Sequence, residues 1–192
     1  MQGPRTTGEW RIYGKIRCTL HPNSARRRDS RVIRRRVPPM LAALVQTGIL
    51  SVEGHLFSRR ESCPECGGGV AGYDTRERRF AVVVEDSGER EINVLVRRYS
   101  CRQCGRVSFA DAPFYPDTRY GSPVVDLCLV LSDTTTPGRA VAMMRELGLV
   151  VERSTVRNYR MREFPPVPTT EIYGLRIPAS VLSLSMLGTG IR

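Results

Sequence analysis

Apolar positions in this chain fall into short blocks whose spacing changes from one third to the next. After Pro38 and Pro39, the stretch Met40 to Thr47 has helical spacing, with proline at its start and Gly48 as its stop. Ile49 to Phe57 then has strand character. Phe80 to Val84 and Glu91 to Val96 are rich in β-formers and flank Glu85-Asp86-Ser87-Gly88-Glu89, a polar turn with glycine, so this stretch predicts a hairpin. From Tyr120 the spacing becomes helical. Ser122-Pro123 signals a helix start, running to about Leu131, and Thr136-Pro137 repeats that signal ahead of Arg139 to Leu147, which Gly148 ends. Ser154 heads a third helix, Thr155 to about Arg162. Pro165-Pro166-Val167-Pro168 is a stiff linker, and Ile172 to Leu187 is apolar without an evident partner: either an exposed stump or a short helix packed on the hairpin. No internal repeat is visible, and no apolar run reaches the roughly 20 residues that a membrane-spanning helix needs.

Two cysteine pairs interrupt this pattern. Cys63-Pro-Glu-Cys66-Gly67-Gly68 and Cys101-Arg-Gln-Cys104-Gly105 are CxxC knuckles separated by 34 residues, and the hairpin lies between them. The glycine after each knuckle lets the backbone bend so that amides can point at sulfur. Four thiolates close a tetrahedral Zn²⁺ shell with no open position, so one structural zinc held by Cys63, Cys66, Cys101 and Cys104 is expected. A metal clamping both ends of a hairpin is zinc-ribbon architecture. A redox CxxC pair is the competing use of such a motif. Cys128 sits in an apolar run and reads as a small buried hydrophobe. Cys18 and His21 form a CxxH pair, but a second zinc needs two more ligands and His55 is the only other histidine.

The spacing of the three helices resembles that of helix-turn-helix DNA-binding domains. Val141, Met144, Leu147, Leu149 and Val156 would form the small core. Arg153, Ser154, Thr155, Arg157, Asn158, Arg160 and Arg162 would belong to the third helix, where arginine reads guanine and asparagine reads adenine in the major groove. Eight positions separate Gly148 from Val156, a longer turn than the tightest units have. The competing interpretation is a helical bundle whose arginines face solvent.

Composition sharpens the picture. The 192 residues are 41% hydrophobic and 26% charged, close to an ordinary globular protein, which excludes wholesale disorder, collagen and coiled coil. The net charge of +11 is nearly all arginine, since Lys15 is the single lysine. Residues 1–60 carry thirteen basic groups against three acids, while residues 61–120 carry nine against ten and residues 121–192 eight against six. The basicity therefore belongs to the first third, where Arg26, Arg27, Arg28, Arg31, Arg34, Arg35 and Arg36 crowd into eleven positions. Such a block is either a solvated segment or an arm that contacts the nucleic-acid backbone. Met1 to Trp10 lacks the apolar core of a secretory signal, so a cytoplasmic, nucleoid-associated location is expected.

Taken in order, Cys63-Pro-Glu-Cys66-Gly67, then Arg98-Tyr99-Ser100-Cys101-Arg102-Gln103-Cys104-Gly105-Arg106 with Phe109, then Leu147-Gly148-Leu149 with Arg153-Ser154-Thr155-Val156, resemble the N-terminal part of prokaryotic, including archaeal, insertion-sequence transposases. The resemblance covers about residues 60 to 165. It implies binding of double-stranded DNA ahead of an RNase H-like catalytic domain. That domain needs three carboxylates, and after Glu152 the only acids are Glu163 and Glu171. Asp126 and Asp133 lack a third partner. The expectation is thus a non-enzymatic α+β protein, transposase-like but truncated before the catalytic domain. Its parts are a basic arm with a short helix and strand (1–60), a zinc ribbon (61–119), a trihelical helix-turn-helix (120–164), and a proline linker with an apolar tail (165–192). Double-stranded DNA is the expected partner, through the third helix and through Arg26, Arg27, Arg28, Arg34 and Arg35 of the arm; a homodimer is compatible with it. The alternative is a zinc-ribbon module that binds protein or RNA.

Overall fold

A computed structural model of the chain describes residues 36–111 and 113–188. The arginine block through Arg35, and the Cys18-His21 pair, lie outside the described residues.

The first helix, α1 (Pro39–Leu50), opens on proline in its first turn as expected, but it does not stop at Gly48. Leu41, Val45, Gly48 and Ile49 recur at helical spacing and are buried, so continuing the helix places Ile49 in the core. Burial overrides the local stop signal. The strand expected over Ile49 to Phe57 is correspondingly reduced to β1 (Leu56–Phe57), which follows a turn in which Gly54, at φ +67°, donates to the Asn93 carbonyl.

The hairpin is much longer than its apolar core suggested. β2 (Val70–Glu85) and β3 (Gly88–Cys101) pair antiparallel from Val70 opposite Cys101 to Glu85 opposite Gly88, leaving a two-residue loop. β1 runs parallel to β3 at Leu95 and Val96, and β4 (Val107–Phe109) runs antiparallel to it at Arg98 to Ser100. Two irregularities break the ladder. Tyr73 and Asp74 together oppose Arg98, and Phe80 has no opposite residue at all.

Three helices follow: α2 (Ser122–Thr134), α3 (Pro137–Glu146) and α4 (Arg153–Arg160). All three expected starts fall within two residues of the observed ones. The Thr136 hydroxyl accepts from the Arg139 amide as an N-cap. Ser122 instead sits inside the helix behind Gly121, its hydroxyl donating to the Pro113 carbonyl. At the end of α3, Gly148 adopts φ +80°, its amide donates to Arg145 O, and the Leu149 amide reaches Met144 O. This is a Schellman cap, closed by buried Met144 and Leu149. The long connection to α4 is explained by what it touches: Val83 bridges Leu149, Val84 donates to Gly148 O, and Val150 donates to Val82 O. The connection is thus laid along β2.

The apolar tail is neither an exposed stump nor a cover for the hairpin. It forms a small hairpin, β5 (Thr169–Ile172) with β6 (Leu175–Pro178), then α5 (Ala179–Gly188), which packs against α1 and α2. Ile177 and Val181 are fully buried. Among the described residues one continuous hydrophobic cluster joins α1, the β2–β3 hairpin from its loop end out to Val96, α2, α3, α4, β6 and α5. Of the expected small core, Met144, Leu147, Leu149 and Val156 are buried and Val141 packs at its edge. The architecture is mixed α+β, and no helix among the described residues is long and apolar enough to cross a membrane.

Candidate metal centre and nucleic-acid face

The two CxxC turns have the same backbone geometry. In the first, the Cys63 amide donates to Gly68 O and the Gly67 amide to Cys63 O; in the second, the Cys101 amide donates to Arg106 O and the Gly105 amide to Cys101 O. Gly67 and Gly105 take φ +70° and +71°, where a Cβ would be strained. The turns are joined to each other by the Arg102 amide on Gly69 O and by an Arg106–Glu65 ion pair at 3.2 Å.

This pairing brings all four sulfurs within 4.8 Å of one another, with Cys63 to Cys104 at 3.7 Å and Cys66 to Cys101 at 3.5 Å. These are not disulfide lengths, which lie near 2.05 Å. They match the edge of about 3.8 Å expected for a tetrahedron of thiolates about 2.3 Å from a central ion. The first cysteine of each pair is buried and the second exposed. Backbone amides of Cys104 and Gln103 lower Cys101 to about 6, and amides of Cys66 and Glu65 lower Cys63. The Gly68 amide also favours the Cys66 thiolate, but the thiols of Cys101 and Cys104 outweigh it and push that group up to about 12. Four thiols this close ionise together only around a cation, so the donor set fits a metal ion. Among the described residues it is the one group of three or more such side chains with its ligand atoms gathered. Cys128 is a fully buried free thiol, as expected.

The second set of expected site residues lies on α4. Val156 and Tyr159 bury one side of this helix, and the Tyr159 hydroxyl accepts from the Arg119 amide at 3.2 Å. The opposite side holds Arg153, Arg157 and Arg160 at i, i+4 and i+7, with Ser154 and Asn158 beside them. These five, with Pro137 and Met161, line an open cleft of about 990 Å³. Thr155 is half-buried. The helix starts at Arg153 behind Glu152, and the Ser154 hydroxyl donates to the Glu152 carboxylate.

Arg162 is placed differently from the rest. It follows the helix end, donates to the carbonyls of Pro116 and Asp117 at 3.0 Å each, and stacks on Phe164. It braces the loop under α4, at a sequence separation that no local pattern reveals. Arg26, Arg27, Arg28, Arg34 and Arg35 lie outside the described residues.

The carboxylates considered for catalysis have other partners. Asp126 is buried on α2 and accepts from Tyr115 at 2.8 Å and Ser180 at 2.6 Å, tying the loop and α5 to α2. Burial and that carboxylate push the Tyr115 phenol up to about 12. Asp133 pairs with Arg176 at 2.6 Å. Comparison of the chain with protein-family models, curated proteins and solved structures found no match in any of the three.

Proposed function

We propose that this chain is a zinc-dependent DNA-binding protein, in which a zinc ribbon (61–119) steadies a helix-turn-helix (120–164) whose reading element is α4. The observation that carries the proposal is the outward stripe of α4. Three arginines stand one turn apart with Asn158 beside them, and none of the seven residues lining the cleft is acidic. A helix of this kind fits the major groove, where arginine pairs bidentately with guanine and asparagine with adenine. Zinc is the metal proposed for the cluster because a closed tetrahedral set of four thiolates suits it. The arginine block at 26–36 adds sequence-independent attraction to phosphates. As in the transposases it resembles, the modules bind and position DNA, and no strand cleavage is assigned to them. A homodimer would present two α4 helices to half-sites one helical turn apart.

The test is a fluorescence-anisotropy titration of the full chain on duplex DNA selected from a random pool. Affinity should fall steeply with salt as counterions return to the phosphates. Arg157→Ala or Asn158→Ala should lower affinity for the selected site roughly ten- to a hundredfold while leaving random duplex unaffected. Joint replacement of Arg26, Arg27 and Arg28 by alanine should weaken every sequence alike. Salt-independent binding, or none, would refute the proposal. Preference for structured RNA or an acidic protein over duplex would make the chain an interaction module instead.

A further inference from the structure

The cysteine-bearing half of the β2–β3 hairpin presents a second surface, built from other elements than α4. Alternation along β3 puts Arg98 on the same face as Val94 and Val96, and β4 sets Phe109 directly opposite it. On the other side the irregularity in β2 brings both Tyr73 and Asp74 against Arg98. The guanidinium consequently lies 5.3 Å from the Tyr73 ring and 5.9 Å from the Phe109 ring. Arg78 continues the series, 5.2 Å from Phe109 and 3.9 Å from Phe114. Aromatic and cationic planes thus alternate across three strands.

Two features distinguish this row from ordinary packing. Tyr73 is 61% exposed and Phe109 40% exposed, so their rings are available to a ligand. Arg98 is held by both oxygens of Asp74, which keeps its plane fixed between the rings and lowers the Asp74 pKa through that hydrogen bond. Arg76, Arg78 and Arg98 outnumber Asp74, and Asp111 next to Phe109 is matched by Arg60, so the face is positive. Exposed rings interleaved with fixed guanidinium planes on a cationic sheet are suited to the π-faces of bases and the phosphates that link them. A duplex hides those base faces; an unpaired strand offers them.

We propose that this face is a stacking platform for unpaired nucleotides, as single-stranded DNA or RNA. The full-length protein would be titrated with fluorescein-labelled decathymidylate and decauridylate, with unlabelled duplex and a decaglutamate peptide as competitors. Tyr73→Ala and Phe109→Ala should each weaken binding of the single strands about tenfold, with duplex affinity and metal content unchanged. Tyr73→Phe should retain the parent affinity. Tighter decathymidylate binding would assign the platform to DNA, and tighter decauridylate binding to RNA. Should Phe109→Ala fail to fold, the exposed Tyr73 pair of variants carries the test. Single-strand affinity unchanged in Tyr73→Ala, or displacement of the labelled strands by decaglutamate with the same dependence on Tyr73, would overturn the proposal; the latter would identify an acidic protein as the occupant.

Discussion

Removing the metal with a chelator, or replacing Cys101 by alanine, should unfold the cysteine-bearing end of the β2–β3 hairpin and leave the helical core intact. The reason lies in how the buried residues are distributed. Phe80, Ala81, Val83, Ile92, Val94 and Val96 belong to the continuous core, which reaches outward from the two-residue loop as far as Val96, opposite Arg76. Beyond that pair, Val70 to Thr75 and Arg97 to Cys101 contribute only Cys101 to the buried apolar set, with Cys63 beside it. A segment with no core of its own would be held by the proposed metal, since structural zinc sites in general supply on the order of 10 kcal/mol of folding free energy. Hydrogen exchange resolves the outcome by position. Amides of residues 62–75 and 97–109 should lose protection on chelation, while those of α2 and α3 retain theirs. Because the ligands must be thiolates, the same loss should follow acidification. Unchanged exchange throughout would contradict the metal assignment, and a single global transition would mean that knuckles and core fold as one unit.

Phe80→Ala should cost about 3–5 kcal/mol, the largest effect expected of any single core substitution here. Phe80 is the unpaired residue at the second irregularity of β2, which turns its ring fully into the core against Phe114 at 6.1 Å. Its carbonyl accepts from the Gly121 amide at 2.8 Å, fastening the hairpin to the start of α2. Gly121 exists there for room: a Cβ would stand 2.2 Å from the Phe80 ring. Gly121→Ala should therefore destabilise by about 1–3 kcal/mol through overpacking. Combined with Phe80→Leu, the two effects should sum to less than their separate costs, because the smaller side chain vacates the contested space. Urea unfolding of the metal-loaded protein measures all three. Full additivity would show that the ring and the glycine do not contend.

What could be read from residues alone follows from how local each determinant is. The knuckles were legible because two cysteines and a following glycine define their own turn, and Thr136-Pro137 because a cap and a first-turn proline act within four residues. The hairpin was legible where Phe80 to Val84 and Ile92 to Val96 meet the core. Its outer half was not, since Asp74 to Arg79 and Arg97-Arg98 carry charge instead of apolar alternation and are ordered by ladder pairing, ion pairs and aromatic contacts. Gly48 misled for the opposite reason: its local signal is a stop, and burial of Ile49 outweighs it. The bracing by Arg162 was hidden because its acceptors lie at positions 116 and 117. The order of the apolar tail was hidden because the surfaces that cover it belong to α1 and α2.

The packing of α5 on α1 also bears on when the molecule can fold. The Ser51 hydroxyl, 2.8 Å from the Gly48 carbonyl of its own helix, also lies 3.3 Å from the Leu184 carbonyl across 133 positions, whereas the hairpin pairs segments much closer in the chain. Contacts between distant segments form late, since closing so long a loop costs chain entropy before any contact rewards it. During synthesis the hairpin can therefore assemble as soon as it emerges, while the groove on α1 waits, apolar and uncovered, for residues 179–188. Over that interval the nascent chain is most exposed to association with other unfolded chains and to chaperones that bind apolar surface.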